Sequence, residues 1–194
     1  MQPSIQNAER DVYEGMWEID QYANFSPGEQ YAPLFDSLVR PRCHGYGTVL
    51  DAGCGSGKGA VALQALGYRV ELCDLTPTGL IPEARSLPFF ETSLWSDFTR
   101  DRGFVDYVYC CDVLEHLPTV FVGLALSRML EKARSGVFLS VALAPDVAGV
   151  WAGRPLHLTV QPYDWWRGTV RELGCVTEAR DMYNTAIFMV EPRR

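Results

Sequence analysis

Between Thr48 and Gly59 the chain reads TVLDAGCGSGKG, and Asp74 closes the next apolar run. Those residue types at that spacing suit the binding of a nucleoside. Glycine has no Cβ, so the backbone at Gly53, Gly55 and Gly57 can take positive φ and approach a ligand closely. The first N–H groups of the helix that starts near Lys58 lack intrahelical partners and attract a negative group. An acid about twenty residues on, ending the second strand, is placed to hydrogen-bond ribose hydroxyls. Two other nucleotide fingerprints fit less well. A P-loop needs Gly five residues before its Gly-Lys pair and Ser or Thr after it, where this chain has Ala52 and Gly59. A dinucleotide GxGxxA can be laid on Gly55, Gly57 and Ala60, but it leaves Asp51 unexplained. A carboxylate there repels a pyrophosphate and suits a cofactor that carries an ammonium group.

The run VLDAGCGSGKG followed by Asp74 resembles motif I and the acidic loop of class I S-adenosylmethionine-dependent methyltransferases. The resemblance covers about 45 to 191. It implies that Asp51, Ala52, Gly53, Cys54, Gly55 and Gly57 hold the methionine end of the cofactor, and that Asp74 with Leu75 holds the ribose. A second run, VDYVYCCDVLEHLP over residues 105–118, looks like the fourth-strand motif of the small-molecule methyltransferases. It implies Cys111 and Asp112 at the strand tip near the cofactor, then Glu115 and His116 on the turn into the next helix. An imidazole titrates near neutrality, so His116 is a candidate general base; the same pair can instead cap the helix and anchor the strand tip. Asp112, Glu115 and His116 also form a D-x-x-E-H pattern similar to the E-x-x-E-H site of ubiquinone-biosynthesis O-methyltransferases. Two carboxylates and an imidazole suit Mg²⁺ or a transition ion. Asp in place of the first Glu shortens the reach, and the expected cofactor is S-adenosylmethionine, with S-adenosylhomocysteine as product, and no metal.

Leu94 and Trp95 fall where the family has an acid and a small residue touching adenine, which implies a more apolar adenine pocket; Trp95 either stacks on the base or packs in the core. Tyr13, Trp17, Tyr22 and Phe25 form an aromatic set near the start of the chain. They are either a lid, with Trp17 and Tyr22 against the cofactor, or the packed face of an amphipathic helix. After the fifth strand, where this fold builds its acceptor pocket, PLHLT is followed by YDWW. His157 there is either a base that contacts the acceptor or a loop residue that holds the turn. The N/D-P-P-Y/F motif of amino-methyltransferases that act on bases or glutamine is missing, as is a Pro-Cys nucleophile.

The elements that must position these groups alternate. Strands are expected over 48–51, 69–73, 91–95, 105–111 and 137–143, and helices over 58–66 and 117–133, the latter stopped by a C-cap at Gly136. An amphipathic helix is expected within residues 1–25. A second opens on Ser26-Pro27-Gly28-Glu29, an N-cap, a first-turn proline and a capping-box acid, with Pro33 disturbing its early turns. A Pro- and Gly-rich loop over 144–156 leads to a helix near 162–173 and two strands, 175–181 and 185–191, joined at Tyr183-Asn184. Alternating strands and helices predict an α/β fold, a doubly wound, Rossmann-like, seven-stranded and mostly parallel sheet. The last two strands are too close for a crossover and form an antiparallel hairpin. The expected division is one domain, 1–194, with an N-terminal helical lid (1–45), a cofactor-binding core (46–143) and an acceptor-side loop, helix and hairpin (144–194).

Composition narrows the function. A chain of 194 residues, 47% hydrophobic and 21% charged, is long enough for one core without staples. No apolar run reaches the roughly 18 residues of a membrane span, and the polar start is no signal peptide. Six cysteines, Cys43, Cys54, Cys73, Cys110, Cys111 and Cys175, show no CxxC spacing and read as reduced, buried small residues of a cytoplasmic protein. A net charge of −7 argues against a broad nucleic-acid footprint. The expected function is methyl transfer to an oxygen or nitrogen of a small-molecule acceptor. The alternatives are a nucleic-acid methyltransferase, a cofactor-binding protein without transfer activity and, third, an NAD-dependent enzyme. The oligomeric state does not follow from the sequence.

Overall fold

Inward-facing residues alternate along the central strands because successive side chains of a strand point to opposite faces. In the strand Val105–Cys111, Tyr107 and Tyr109 pack on one face while Val108 and Cys110 pack on the other. The computed structural model describes residues 5–42, 47–98 and 103–193. Seven strands run β1 (Thr48–Ala52), β2 (Arg69–Asp74), β3 (Phe89–Glu91), β4 (Val105–Cys111), β5 (Ala133–Ala142), β6 (Gly174–Asp181) and β7 (Thr185–Pro192). They form one sheet in the order β3-β2-β1-β4-β5-β7-β6. β1 to β5 are parallel, and β7 inserts antiparallel between β5 and β6. This is the predicted doubly wound sheet with its terminal hairpin.

Seven helices are described: α1 (Ile5–Trp17), α2 (Asp20–Ala23), α3 (Pro27–Val39), α4 (Lys58–Ala65), α5 (Thr119–Lys132), α6 (Gly149–Ala152) and α7 (Tyr163–Leu173). On one face, Phe35 of α3 meets Tyr68, Tyr107, Tyr109 and Phe138 at ring separations of 5.3–5.7 Å, and Leu63 of α4 joins the same core. On the other face, Leu126 and Met129 of α5 and Trp166 and Val170 of α7 cover β4, β5 and β7. Each aromatic pair adds about 0.5–1.5 kcal/mol beyond its area burial. Both faces are therefore closed, and the crevice at the carboxyl ends of the strands is left for a ligand.

Several boundaries differ from those expected. α3 starts as its cap predicts, with the Glu29 N–H donating to Ser26 Oγ at 3.3 Å, but it runs on through Pro33 because Ala32, Phe35 and Val39 anchor it. β3 ends at Glu91, so Leu94 and Trp95 lie on the following turn, closed by Ser96 N–H to the Ser93 carbonyl. Gly136 is no C-cap: α5 passes directly into β5, and Gly136 lies within that strand. A Cβ there would stand 2.7 Å from Met189 Cε and 3.2 Å from the Val190 carbonyl, so the glycine serves the close approach of β7. The loop after β5 contains the short helix α6. Cys54, Cys73, Cys110 and Cys111 are free and buried as expected, but Cys175 on edge strand β6 is exposed; Cys43 lies outside the described residues. No described helix is long and apolar enough to cross a membrane.

Candidate functional site

A cavity of about 570 Å³ opens at the carboxyl ends of β1, β2, β4 and β5, within the size range of small-molecule sites. Its floor at one end is the glycine turn. Gly53 and Cys54 donate N–H bonds to the Cys73 carbonyl at 2.9 and 3.1 Å, which ties the turn to β2. Gly53, Gly55 and Gly57 all have positive φ, 52–74°. A Cβ on Gly53 would press on Val113 at 2.6 Å, and one on Gly55 would meet the Trp17 indole at 2.9 Å. The turn delivers the chain into α4, whose Ala60 N–H donates to the Asp51 carboxyl. Asp51 is thus a buried acid at a helix N-terminus. Burial, with Asp74 nearby, still pushes its pKa up to about 7 against that hydrogen bond.

Asp74 ends β2 and is tied to the same turn. Its Oδ2 accepts from Gly55 N–H at 2.8 Å and its Oδ1 from Leu75 N–H at 2.6 Å. Burial raises its pKa as well, opposed by the N–H groups of Gly55, Leu75 and Thr76. Asp51, Gly53, Cys54, Gly55, Asp74 and Leu75 all line the cavity. Ala52 and Gly57 do not: Ala52 packs in the core, and the Cβ position of Gly57 is filled by Ala84 and Leu80. Leu94 and Trp95 line the wall beyond Asp74, although one face of Trp95 is already stacked on Phe121 at 5.0 Å.

The roof is the N-terminal segment. Trp17 lies over Gly55 and Gly79, and Tyr22 packs against it at 4.9 Å. Polar ties hold the segment down: Arg10 Nε donates to the Leu75 carbonyl, Thr76 Oγ1 to Glu14, and Arg154 Nη2 to both oxygens of Glu9. Lys58 Nζ donates to the carbonyls of Ala23 and Asn24, where the last turn of α2 leaves acceptors unpaired.

The far end is built from β4 and the loop after β5. Asp112 follows β4 with φ of 60°, a left-handed conformation that short polar side chains tolerate. Cys111 lines the cavity as a neutral thiol, its pKa raised by burial. His116, at the end of a 3₁₀ turn, puts Nδ1 2.7 Å from the Tyr13 hydroxyl, and its ring also bonds the Leu156 backbone. Burial pushes its pKa down to about 4; Asp112 opposes that shift and His157 adds to it. The imidazole is therefore neutral and engaged. His157 stands edge-on to it, ring centroids 4.7 Å apart. Its Nδ1 is 2.7 Å from the Ala144 carbonyl. A carbonyl only accepts, so Nδ1 carries the hydrogen and the lone pair is on Nε2. Asp146 holds the loop in place, accepting N–H bonds from Gly149, Leu156 at 2.8 Å and His157 at 3.0 Å. Burial works against its charge, but those donors keep the carboxyl below the usual carboxylate range.

Glu115 is buried behind the cavity. Its backbone carbonyl accepts from Leu158 and Thr159, and its Oε1 from the Ala142 N–H. Its Oε2 has no donor. Burial, with Asp112 alongside, raises its pKa well above the usual carboxyl value. The D-x-x-E-H set is not assembled as the motif suggests: His116 is turned to Tyr13, and the imidazole that converges with Asp112 and Glu115 is that of His157, one atom of each lying within 4.8 Å of the others. Mg²⁺ prefers six oxygen ligands, and this donor set, with an imidazole and with Glu115 Oε1 committed to Ala142, fits that ion poorly.

Sequence reasoning missed Asp146, which orders the loop after β5, and Trp151 of α6, which lines the cavity. The signal for Asp146 is weak: it is a short acid three residues before Gly149, the first residue of α6, whose N–H it accepts from.

Comparison with known proteins matches residues 17–185 to a methyltransferase domain family. Among curated proteins the chain is similar to a ubiquinone biosynthesis O-methyltransferase of Paraburkholderia xenovorans, 31% identical over 129 residues, covering 62% of this chain and 56% of the relative. A protein of the same name from Xanthomonas campestris is 34% identical over 101 residues, covering 47% and 41%. The chain thus spans between 41% and 56% of the length of these curated relatives. Among solved structures, the Burkholderia thailandensis 1,6-didemethyltoxoflavin-N1-methyltransferase, with S-adenosylhomocysteine bound, superposes with a TM-score of 0.73 at 13% identity, over 100% of this chain and 93% of that one. The magnesium protoporphyrin IX methyltransferase of Synechocystis, with S-adenosylmethionine bound, gives 0.71 at 18% identity, over 97% and 98%. At these identities the likeness is one of fold.

Proposed function

The chain belongs to the methyltransferase-domain family of the class I S-adenosylmethionine-dependent enzymes, and from that premise we propose that it methylates an oxygen or nitrogen of a small-molecule acceptor. The observation that carries the reading is the cavity itself. One end presents a glycine turn between the buried Asp51 and the half-buried Asp74, and the other presents a histidine with a pinned tautomer. Asp51 and the turn hold the methionine end of the cofactor, Asp74 and Leu75 the ribose, and Leu94 the adenine. When bound, the cofactor supplies a methyl group already activated by its positive sulfur.

The chain's own residues then have three tasks. Trp17 and Tyr22 exclude water from the cofactor end. Positioning of the acceptor supplies much of the acceleration. His157, with its lone pair on Nε2, takes the acceptor's proton, while His116 positions the N-terminal helix through Tyr13. A roughly neutral-to-acidic cavity lined by aromatic residues favours a small molecule over a polyanion.

The test is calorimetric titration with S-adenosylhomocysteine and, separately, NAD. Tight binding of the first with none of the second is expected. A ligand that binds only the folded state at one hundred times its dissociation constant adds about 2.7 kcal/mol of stability. NAD binding in place of the sulfur cofactor reverses the assignment. Binding with no methyl transferred from labelled S-adenosylmethionine to any phenol or amine supports a cofactor-binding protein without transfer activity.

A further inference from the structure

The five tryptophans of the chain are not used alike. Trp17 pairs with Tyr22, Trp95 stacks on Phe121, and Trp165 meets Trp166 edge-on, all at ring separations of 4.9–5.0 Å. Trp151 has no ring partner among the described residues, although it lines the cavity. Its side chain is 48% exposed, and Val147 and Val150 beside it are more exposed still. Apolar burial therefore does little to hold α6, the turn that carries this indole.

Polar ties hold it instead. Asp146 accepts the Gly149 N–H with Oδ1, and the Leu156 and His157 N–H groups with Oδ2. The Gly149 carbonyl accepts from the Arg154 N–H at 3.1 Å, and the Arg154 guanidinium bonds both oxygens of Glu9 on α1. A Cβ on Gly149 would press on the Arg154 carbonyl, so the turn closes tightly. One carboxylate thus fixes both the turn that carries Trp151 and the backbone of His157. Ring and base are held in one frame, the kind of bracing that preorganises a binding site. Asp112 and Asp146 line the cavity, and no Lys or Arg is among the described lining residues, so the field there disfavours an anion. A flat π-face gains from offset stacking on an indole, and a puckered saturated ring does not.

We propose that Trp151 is the platform on which the acceptor lies, so that the acceptor is an uncharged planar aromatic compound, stacked on the indole, with its hydroxyl or amino substituent toward His157. The inference rests on the methyltransferase reading and narrows its acceptor. Trp151 is then a specificity-determining residue and takes no part in the chemistry. Stacking acts alike on the bound acceptor and on the transition state, so its loss raises the acceptor KM and leaves kcat nearly unchanged.

The experiment compares a flat ring with a puckered one that carries the same hydroxyl. Protein saturated with S-adenosylhomocysteine is titrated calorimetrically with 2-naphthol and with its saturated counterpart, decahydro-2-naphthol. Wild type is expected to bind 2-naphthol at least about tenfold more tightly, the scale of one aromatic stacking contact. Trp151→Leu should bring the two affinities within about threefold of each other, whereas Trp151→Phe and Val150→Ser should keep the preference. Binding of S-adenosylhomocysteine to each variant is the folding control. Equal affinities in wild type, binding of neither alcohol at millimolar concentration, or a preference that survives Trp151→Leu overturns the proposal. So does a preference lost in Phe25→Leu but kept in Trp151→Leu, which gives the platform to the other lining aromatic without a ring partner. Failure of S-adenosylhomocysteine to bind wild type is a separate result that removes the methyltransferase reading, and this inference with it.

Discussion

The two ends of the cavity are built in opposite ways. At the cofactor end, Asp51, the glycine turn and Asp74 lie within two dozen residues, and the carboxylates are met by backbone N–H groups of that same stretch: Ala60, Gly55 and Leu75. At the acceptor end the partners come from afar. Tyr13 meets His116 across 103 residues, Arg154 meets Glu9 across 145, and Glu115 meets Ala142 across 27. The first end is a local device, two carboxyl groups met by backbone N–H groups of one short stretch. The second is a convergence of three segments, each useless alone. A fold can thus keep its cofactor chemistry constant and change its acceptor by altering one loop, as loops on a rigid scaffold permit.

The sharpest way to break this contrast is His157→Gln. The variant is expected to lower turnover about 10²–10⁴-fold with S-adenosylhomocysteine affinity unchanged, as single-turnover kinetics and calorimetry would read. His116→Gln should cost far less, because an imidazole already near pKa 4 does not change charge above about pH 5. Equal losses in the two variants would make the pair one unit and erase the distinction between base and positioning residue.

Asp74→Asn tests the other end and should do the reverse. The amide sets a donor against one of the two N–H groups that now face the carboxylate, and removes the charge from the predicted ribose contact. Cofactor affinity should fall by about 1.5–3 kcal/mol, or roughly ten- to a hundredfold, with turnover at saturation nearly kept. Unchanged affinity in a titration would mean that the ribose is held elsewhere.

Tyr13→Phe probes the bridge between the ends and carries the smallest effect. Loss of the hydroxyl from His116 should cost about 0.5–1.5 kcal/mol of unfolding free energy, with a modest rise in acceptor KM. A variant as stable as the parent in denaturant titrations would show that the N-terminal helix is held by its other ties, Arg10, Glu14 and Glu9.

The same contrast explains what was legible in the sequence. The strand–glycine–helix unit, the acid after β2 and the hydrophobic alternation of β4 are short-range patterns, and the sheet they imply is the one observed. Ser26-Pro27 marked the start of α3 for the same reason. Gly136 misled because glycine before a strand has two uses, and the close approach of Met189 and Val190 is a long-range fact. β3 was placed late because only three of its residues pair with β2, too few to leave a period. The proposed choice of His157 over His116 as base was not legible, since it turns on Ala144 and Tyr13, one brought by a loop and the other by a distant helix. Leu94 and Trp95 line the cavity, but the stacking of Trp95 on Phe121 depends on where α5 lies and leaves no trace in their own stretch.

Asp51 is the acid proposed to receive a positive group of the cofactor. Its folded-state pKa, raised by burial to about 7, exceeds that of an ordinary carboxyl, so in the unliganded protein its contribution to stability is greatest at low pH and is lost as pH rises through about 7. An ammonium group bound beside it favours the charged form and lowers that pKa, so binding below pH 7 must release a proton. S-adenosylhomocysteine titrations from pH 5.5 to 8, repeated in buffers of different ionisation enthalpy, measure this directly. The predicted result is affinity that climbs with pH and levels off above about 7, with up to one proton released per ligand at the acidic end. Affinity that is flat across the range in wild type and unchanged in Asp51→Asn would contradict it.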